Sequence, residues 1–426
     1  MSGLFKGMCD ALDVSYDRFI RTTEPAHYRA SQAIWQAMAA SGDLYPSRYE
    51  GWYSVRDEAF YADGELIDGE GGIRLSPQGT PVEWTVEESW FFRLSKYQQP
   101  LLDLYAANPD FIRPESRRNE VLRFVEGGLV DLSVSRTSFD WGVPVPGSPG
   151  HVMYVWVDAL TNYITGAGYP DDPERFARYW PADLHLIGKD IVRFHAVYWP
   201  AFLMSAKIAL PKQVFGHGFL LNRGEKMSKS VGNVVDPMAL AELYGVDALR
   251  YFLLRDVSFG NDGTFSDEAI VTRANADLSN SFGNLAQRTL AFIAKNLDGV
   301  VEAGRGEEAD LVLLAEVDTA CAAFRVAFQD LALSQGLEAW MMGVFACNQY
   351  IDTQAPWALR KTDPERMHAV LSTLLKAIRR LTVTIQPVVP GSAVKLLDQL
   401  GPEGAADFRI ALPSPIFPRL ELKEEA

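Results

Sequence analysis

Apolar residues follow two different patterns along the chain. Between about residues 131 and 210, short apolar runs at 153–157 and 184–188 each lead into a stretch with helical spacing. Strands that alternate with helices are typical of a parallel, doubly wound sheet, in which ligand sites lie at the carboxyl ends of the strands. We therefore predict an α/β fold here, with both runs as strands that turn into helices.

From Ser266 onward the spacing of apolar positions is helical throughout. Ser266 is a predicted helix cap, since Asp267 and Glu268 in the next turn suit the positive end of a helix dipole. The helix that it begins is predicted to end at Gly299. We predict an α-helical bundle for this third of the chain, with further helices near 308–331, 334–353, 364–386 and 391–400.

Residues 43–130 differ from both patterns. They are rich in aromatic residues, glycine and proline, and they contain turn signals at Asp63-Gly64 and Asp68-Gly69. Short strand candidates separated by such turns are typical of a small mixed fold. We predict that this segment is a domain inserted into a larger one.

Composition limits the classes of protein that remain. The chain has 426 residues, 48% of them hydrophobic, and a formal charge of −15, which argues against non-specific coating of nucleic acid. No run approaches the ~18 apolar residues of a membrane span, and the start lacks the pattern of a signal peptide. The three cysteines, Cys9, Cys321 and Cys347, are dispersed. We expect a cytoplasmic protein without a membrane partner, a disulfide framework or a clustered zinc site.

Residues 222–233 form a candidate polyphosphate-binding loop. Lys226 and Lys229 lie three residues apart among small and hydroxylated residues, between Gly224 and Gly232. Glycine permits unusual backbone angles, so such a loop can bring two ammonium groups onto a polyphosphate. The alternative is a solvated surface turn.

Two junctions between a strand and a helix carry a second candidate site. Trp156 is predicted at one strand end, with Tyr163 further along the following helix. At the other junction Ile191 and His195 fall on one helix face. These side chains can wall a pocket for an unbranched thioether, because sulfur packs well against aromatic rings. The alternatives are aromatic residues that fill a core and a structural histidine.

The run 226–230 (KMSKS) is identical to the second signature of the class I aminoacyl-tRNA synthetases. Together with the two junctions and their spacing, it makes the chain similar to the methionyl-tRNA synthetases. The resemblance implies a Rossmann-like doubly wound sheet and two reactions. Methionine is activated with ATP and Mg²⁺ to methionyl-adenylate, and the methionyl group then passes to tRNA(Met).

The resemblance also implies roles for individual residues. The methionine-binding set is Trp156, Ala159, Leu160, Tyr163, Ile191 and His195. The ATP-binding set is Gly188, Asp190, Lys226, Met227, Ser228, Lys229 and Ser230. The catalytic set, which neutralises charge near the adenylate and the phosphates, is Arg136, Lys226 and Lys229.

Residues of the helical third match the anticodon-reading positions of the family. Asn284 and Arg288 lie four apart on one predicted helix face, and Trp357 follows a proline at a helix end. Asn and Arg can read base edges, and Trp can stack on an unpaired base. The alternative is a solvated polar face with a tryptophan between helices. The resemblance implies contact with the CAU anticodon.

The chain departs from the family pattern in two places. No His-Ile-Gly-His signature occurs upstream of residue 43, where the only histidine is His27. We therefore expect an N-terminally incomplete fold with impaired catalysis. The gene product is then either an active methionine–tRNA ligase with a longer start, or a truncated form that only binds tRNA through residues 266–400. Residues 43–130 contain no cysteine, so no structural zinc is expected, although many relatives carry zinc knuckles there.

The resemblance assigns a role to each segment of the chain, and a monomer is expected because no dimerisation module follows residue 420. The predicted segments are the remnant of the first half of the nucleotide-binding fold at 1–42, the inserted connective domain at 43–130, the second half of the nucleotide-binding fold at 131–210, the lysine loop and its connector at 211–265, and the α-helical anticodon-binding domain at 266–426.

Overall fold

A computed structural model describes residues 2–57, 59–227, 232–402 and 408–422. The chain divides into two compact units. One unit is Tyr16–His217, and the other combines Met1–Ser15 with Gly218–Ala426. The five segments predicted from the sequence are finer than this division, and their boundaries stay predictions.

The unit Tyr16–His217 contains a small parallel sheet. Strand Val214–His217 lies in the middle, between His185–Gly188 and Ile112–Arg113, and all three strands run in the same direction. The predicted strand at 184–188 is thereby confirmed. Helices that pack near this sheet share one apolar core with it. These helices are Pro25–Ala40, Gln98–Ala107, Glu115–Glu126, Val155–Ala167, Pro173–Tyr179 and Trp199–Ala206.

The predicted strand at 153–157 is wrong. The strand consists only of Val152–Met153, which pairs with Ser135–Arg136, and a helix already begins at Val155. A continuous apolar run cannot distinguish a buried strand from a buried helix, because its periodicity is the same in both cases. Trp156 therefore lies in the first turn of a helix and not at the end of a strand.

A second, antiparallel sheet is built on a long strand pair. Leu44–Ser54 pairs with Glu83–Phe92 from Leu44 opposite Phe92 to Tyr53 opposite Glu83. The short strands Ala59–Tyr61 and Leu132–Ser133 extend the two sides of this sheet. The predicted turn-rich region is therefore a sheet with short connecting strands and 3₁₀ turns.

The other unit is mainly helical. Its small sheet consists of Leu220–Asn222, Glu225–Lys226 and Gly263–Phe265. Ser266 caps the next helix, because its hydroxyl accepts a 3.1 Å hydrogen bond from the amide of Ala269. The helices are Ser2–Ala11, Pro237–Tyr244, Val246–Arg255, Asp267–Arg273, Asn284–Leu297, Glu308–Gln329, Leu333–Gln354, Pro356–Thr362, Pro364–Ile385 and Pro390–Leu400.

Close packing of three helices holds the bundle together. At Gly343 a β-carbon would lie 2.9 Å from the Leu381 side chain and 3.1 Å from that of Ala320, so only glycine fits without movement. The predicted helical bundle is confirmed. The predicted helix from Ser266 to Gly299 contains a π-helical stretch, Ala274–Gly283, and ends at Leu297. Within the described part of the chain, no helix is both long enough and apolar enough to cross a bilayer.

Candidate functional site

The predicted pocket residues lie on two neighbouring segments of the unit Tyr16–His217. Trp156 and Tyr163 lie on helix Val155–Ala167, and Ile191 and His195 follow the strand His185–Gly188. Tyr163 and His195 have ring centroids 5.5 Å apart, and Trp156 and His195 are 6.3 Å apart, both edge to face. The structure thus brings these aromatic side chains together. Ala159 and Leu160 lie on the same helix, with Leu160 fully buried.

Hydrogen bonds fix the proton on His195. Its Nδ1 lies 2.9 Å from the carbonyl oxygen of Ile191, which can only accept, so Nδ1 carries the hydrogen. Nε2 of the neutral ring is then an acceptor, and the Tyr163 hydroxyl donates to it over 2.7 Å. The edge of this imidazole is therefore held in one tautomer and one orientation.

Burial keeps these groups neutral. It lowers the pKa of His195, although the hydrogen bond to Ile191 opposes the shift. Burial also raises the pKa of Tyr163 to about 12, so its hydroxyl remains protonated and donates. The site thus offers uncharged aromatic surface, which suits an apolar side chain.

Three side chains that sequence reasoning missed complete the aromatic cluster. Phe194 stacks on Trp156 with centroids 3.7 Å apart. His185 stacks on Tyr163 at 4.0 Å and accepts a 3.2 Å hydrogen bond from the indole of Trp199. Burial, with a contribution from the nearby His195, lowers the pKa of His185 to about 3. The sequence held no signal for these contacts beyond aromatic residues close to the predicted junction.

Arg136 is buried at the end of the short strand Ser135–Arg136. It is 3% exposed and donates to the carbonyl of Ser135 over 2.7 Å and to the Ser133 hydroxyl over 2.9 Å. Its guanidinium carbon lies 4.5 Å from the centre of the Tyr154 ring. With Tyr154 and Asp158 it lines a cavity of about 50 Å³. The guanidinium of Arg136 therefore borders a small cavity beside the first turn of helix Val155–Ala167.

His27 is a structural histidine. Its ring is completely buried, with Nε2 2.5 Å from a carboxylate oxygen of Asp158 and Nδ1 3.0 Å from the Thr165 hydroxyl. These bonds fix helix Pro25–Ala40 against helix Val155–Ala167. The only histidine upstream of residue 43 thus helps to orient the helix that carries Trp156.

Gly188 and Asp190 occupy the turn after the parallel strand. A β-carbon on Gly188 would lie 2.6 Å from a carboxylate oxygen of Asp190, so a larger residue here would displace the Asp190 side chain. Asp190 is exposed at the carboxyl end of the sheet. This is the edge at which ligands bind in doubly wound folds.

The lysine loop lies in the unit that contains Gly218–Ala426. Lys226 is exposed at the end of strand Glu225–Lys226, with its ammonium 5.2 Å from the centre of the Phe219 ring. The side chain of Asn222 donates to the carbonyl of Asn233 over 2.9 Å, and that of Asn233 donates to the carbonyl of Lys226 over 3.2 Å. Met227 is half-buried. The predicted residues Ser228, Lys229 and Ser230 lie outside the described residues.

The predicted anticodon residues include one close pair. Trp357 is 46% exposed, and the Arg288 guanidinium lies 5.5 Å from the centre of its ring. Arg288 also donates to Asp352 over 2.7 Å, a partner that the sequence did not reveal. Asn284 is exposed one turn before Arg288 on helix Asn284–Leu297. In the described part of the chain, no group of three or more His, Cys, Asp or Glu side chains could hold a metal ion.

Comparisons with known proteins identify the family. Residues 1–290 match the family of tRNA synthetases class I (M), and residues 300–410 match the anticodon binding domain of methionyl tRNA ligase. The methionine–tRNA ligase of Brucella suis is 59% identical over 97% of this chain and 80% of its own length. That of Mycobacterium tuberculosis is 56% identical, over 99% of this chain and 84% of its own.

A solved structure agrees with these matches. The Mycobacterium tuberculosis methionyl-tRNA synthetase in complex with methionyl-adenylate has a TM-score of 0.94 and 55% identity, and the match covers 98% of this chain and 86% of that one. Together with the mixed α/β fold, these matches show that the chain is a class I tRNA synthetase. Within that class, it belongs to the methionyl-tRNA synthetases, the methionine–tRNA ligases. The predicted fold class, family and enzyme class are confirmed, and the alternative of a chain that only binds tRNA finds no support in these matches.

Proposed function

We propose that the cluster of Trp156, Tyr163 and His195 binds methionine for activation by ATP and subsequent transfer to tRNA(Met). One observation carries this proposal: an imidazole with a fixed tautomer is surrounded by aromatic rings. The structural similarity to a synthetase in complex with methionyl-adenylate supports it. Ala159, Leu160 and Ile191 complete the proposed pocket.

Selectivity in such a pocket depends mainly on shape. The thioether of methionine is unbranched and polarizable, so it packs against the faces of Trp156 and Tyr163. A branched side chain such as isoleucine has the wrong shape for this space. Discrimination by one hydrophobic pocket amounts to about 1–3 kcal/mol per feature.

The chemistry that follows requires positioning and charge neutralisation. The methionine carboxylate attacks the α-phosphorus of ATP in line, so a new P–O bond forms while the bond to the bridging oxygen breaks and pyrophosphate leaves with its electron pair. We assign Arg136, Lys226 and Lys229 to the stabilisation of negative charge in this step. Gly188 and Asp190 would contact the nucleotide, as would Met227, Ser228 and Ser230. Mg²⁺ arrives with ATP as part of the substrate.

The helical part would recognise the anticodon. Trp357 is exposed, and an arginine lies close to its ring, so the indole can stack on an unpaired base while Arg288 contacts a base edge or phosphate. Asn284 lies on the same side of its helix as Arg288 and can contribute a further base contact. We assign these three residues to the CAU anticodon.

Three further expectations stay proposals. We expect a monomer in the cytoplasm, which sedimentation and fractionation would test. We expect no structural zinc, because residues 43–130 contain no cysteine, and metal analysis of the purified protein would test this.

Exchange of pyrophosphate into ATP, driven by methionine, tests the proposed pocket. Trp156→Ala should raise the KM for methionine at least tenfold, because a large aromatic wall is lost, while the KM for ATP changes little. Trp84→Ala is the matched control, since Trp84 is 52% exposed in the antiparallel sheet. An unchanged KM for methionine in Trp156→Ala, or an equal rise in both variants, would refute the assignment.

A further inference from the structure

The turn that carries Trp357 has an unusual backbone. Helix Leu333–Gln354 ends at Ala355, which adopts the left-handed conformation with φ 42° and ψ 62°, and helix Pro356–Thr362 begins at the next residue. A residue with a β-carbon is unfavourable in this conformation. The turn is therefore held by its surroundings and not by its own preference.

A buried arginine from another helix contacts this turn. Arg366 lies in the first turn of helix Pro364–Ile385 and is 3% exposed. Its Nη2 donates a 2.9 Å hydrogen bond to the side-chain oxygen of Gln354, the last residue before Ala355. The bond joins the guanidinium to the chain three residues before Trp357.

The orientation of this guanidinium is itself fixed. Arg366 donates to both carboxylate oxygens of Asp310, over 2.6 and 2.7 Å, in a bidentate pair. Asp310 lies in the first turn of helix Glu308–Gln329 and also accepts a hydrogen bond from the Tyr350 hydroxyl. A planar, bidentate pair of this kind leaves little rotational freedom. Three helix ends are thus joined at one point next to the turn.

Charge neutralisation alone does not require the contact with Gln354. Asp310 already pairs with the guanidinium, and the second hydrogen of Nη2 then reaches Gln354. From a neighbouring helix, Arg288 lies against the ring of Trp357 and pairs with Asp352. One arginine therefore contacts the indole, while the other donates to the side chain of Gln354, three residues earlier.

We propose that Arg366, acting through Gln354, is a positioning residue for anticodon recognition. It holds the 354–357 turn so that the indole of Trp357 is oriented for stacking before tRNA binds. Preorganisation of this kind lowers the entropy lost on binding. The inference rests on the proposed role of Trp357 in tRNA recognition.

Gln354→Ala tests the inference, because it removes the bond to the turn and retains the pair of Arg366 with Asp310. The KM for tRNA(Met) should rise about fivefold, the factor expected for one lost hydrogen bond. Pyrophosphate exchange and the kcat of aminoacylation should not change, and the melting temperature should fall only slightly, because a single hydrogen bond is lost. The preference for a CAU transcript over one with another anticodon should decrease.

Gln399→Ala is the matched control. Gln399 lies in helix Pro390–Leu400 and makes comparable hydrogen bonds, to Ser414. The KM of the Gln399→Ala variant for tRNA should stay at the wild-type value. An equal rise of the KM for tRNA in both glutamine variants would show that any weakening of the helical bundle has this effect. That result would overturn the inference.

Trp357→Ala separates this inference from the proposed function. If Trp357→Ala raises the KM for tRNA and Gln354→Ala does not, the role of the arginine is wrong while the anticodon assignment remains. If neither variant raises it, the assignment of Trp357 to the anticodon is wrong as well.

Discussion

The hydroxyl of Tyr163 lies 2.7 Å from Nε2 of His195. Because Nδ1 of the same ring donates to the carbonyl of Ile191, the tyrosine must be the donor in this bond. The imidazole edge then cannot rotate or exchange its proton without breaking one of the two bonds. These two hydrogen bonds hold the His195 ring in one orientation and in its neutral form, although histidine commonly titrates near pH 7.

Tyr163→Phe should weaken methionine binding with little effect on the fold. The ring would remain in place, but Nε2 of the buried imidazole would lose its donor. Loss of one such bond corresponds to about 1 kcal/mol, and so to a roughly fivefold increase in the KM for methionine. Pyrophosphate exchange at varied methionine concentrations gives this value.

Tyr179→Phe is the control for this change, since Tyr179 is 54% exposed in another helix. It should behave as the wild type. A wild-type KM in Tyr163→Phe would show that the bond to His195 does not organise the site.

Acid should destabilise the unit Tyr16–His217 through its buried histidines. Burial lowers the pKa of His185 from 6.5 to about 3 and also lowers that of His195. Between pH 6.5 and 3 the unfolded chain therefore binds a proton at His185 that the folded chain does not bind. His195 contributes with the same sign, because its pKa is also lowered. The free energy of unfolding keeps its full value above pH 6.5. It falls as the pH decreases, by at most about 1.4 kcal/mol per pH unit for each histidine.

Thermal unfolding of wild type and His185→Gln between pH 7 and 4 tests this dependence. The variant should be less stable at pH 7, because the ring that stacks on Tyr163 is lost, but its stability should fall less steeply with acid. Parallel pH profiles for the two proteins would show that His185 does not take up a proton in the unfolded chain in this range.

Lys229→Ala should slow the formation of methionyl-adenylate much more than it weakens methionine binding. The proposed ammonium group stabilises charge that develops as pyrophosphate leaves, so its loss raises the barrier and leaves the ground state nearly unchanged. Removal of one such charge corresponds to about 2.7–4 kcal/mol, or a 10²–10³-fold lower rate. Single-turnover kinetics gives the rate, and equilibrium binding gives the affinity.

Lys212→Ala provides the comparison, because Lys212 is an exposed lysine that pairs with Asp183. It should retain the wild-type rate. Equal losses of rate and methionine affinity in Lys229→Ala would contradict a role confined to the transition state.

Arg366→Met should destabilise the helical part strongly. It leaves the buried carboxylate of Asp310 without its cation, a change that costs about 3–5 kcal/mol. Arg380→Met is the matched control, since Arg380 pairs with Asp318 while both side chains are partly exposed. Such exposed pairs contribute about 0–1 kcal/mol. Urea unfolding followed by circular dichroism compares the two variants, and similar midpoints would show that the buried pair contributes no more than a surface pair.

The spacing of apolar and capping residues along the sequence was sufficient to predict much of the fold. The helical spacing after Ser266 predicted the bundle, and the cap at Ser266 is present as a hydrogen bond to Ala269. Both depend on interactions within a few residues, which the sequence displays directly. The same reasoning assigned the run 153–157 to a strand, because a fully buried segment has no polar face to reveal its period.

Contacts between distant segments account for what the sequence could not predict. Asp310 and Arg366 are 56 positions apart, and Tyr163 and His195 are 32 apart. Many chain geometries are compatible with such separations, so no local rule selects the partner. The contacts of Asp352 with Arg288 and of His185 with Tyr163 are of the same kind.

The sequence alone predicts the residues of the proposed pocket and of the lysine loop, the helices of the last third, and the resemblance to the family. The protonated nitrogen of His195 and the contacts of Arg288 with the Trp357 ring and of Arg366 with Gln354 follow from the folded structure alone. The reason is physical: helical periodicity and capping depend on neighbours along the chain, whereas protonation and side-chain orientation depend on burial by segments that fold in from elsewhere.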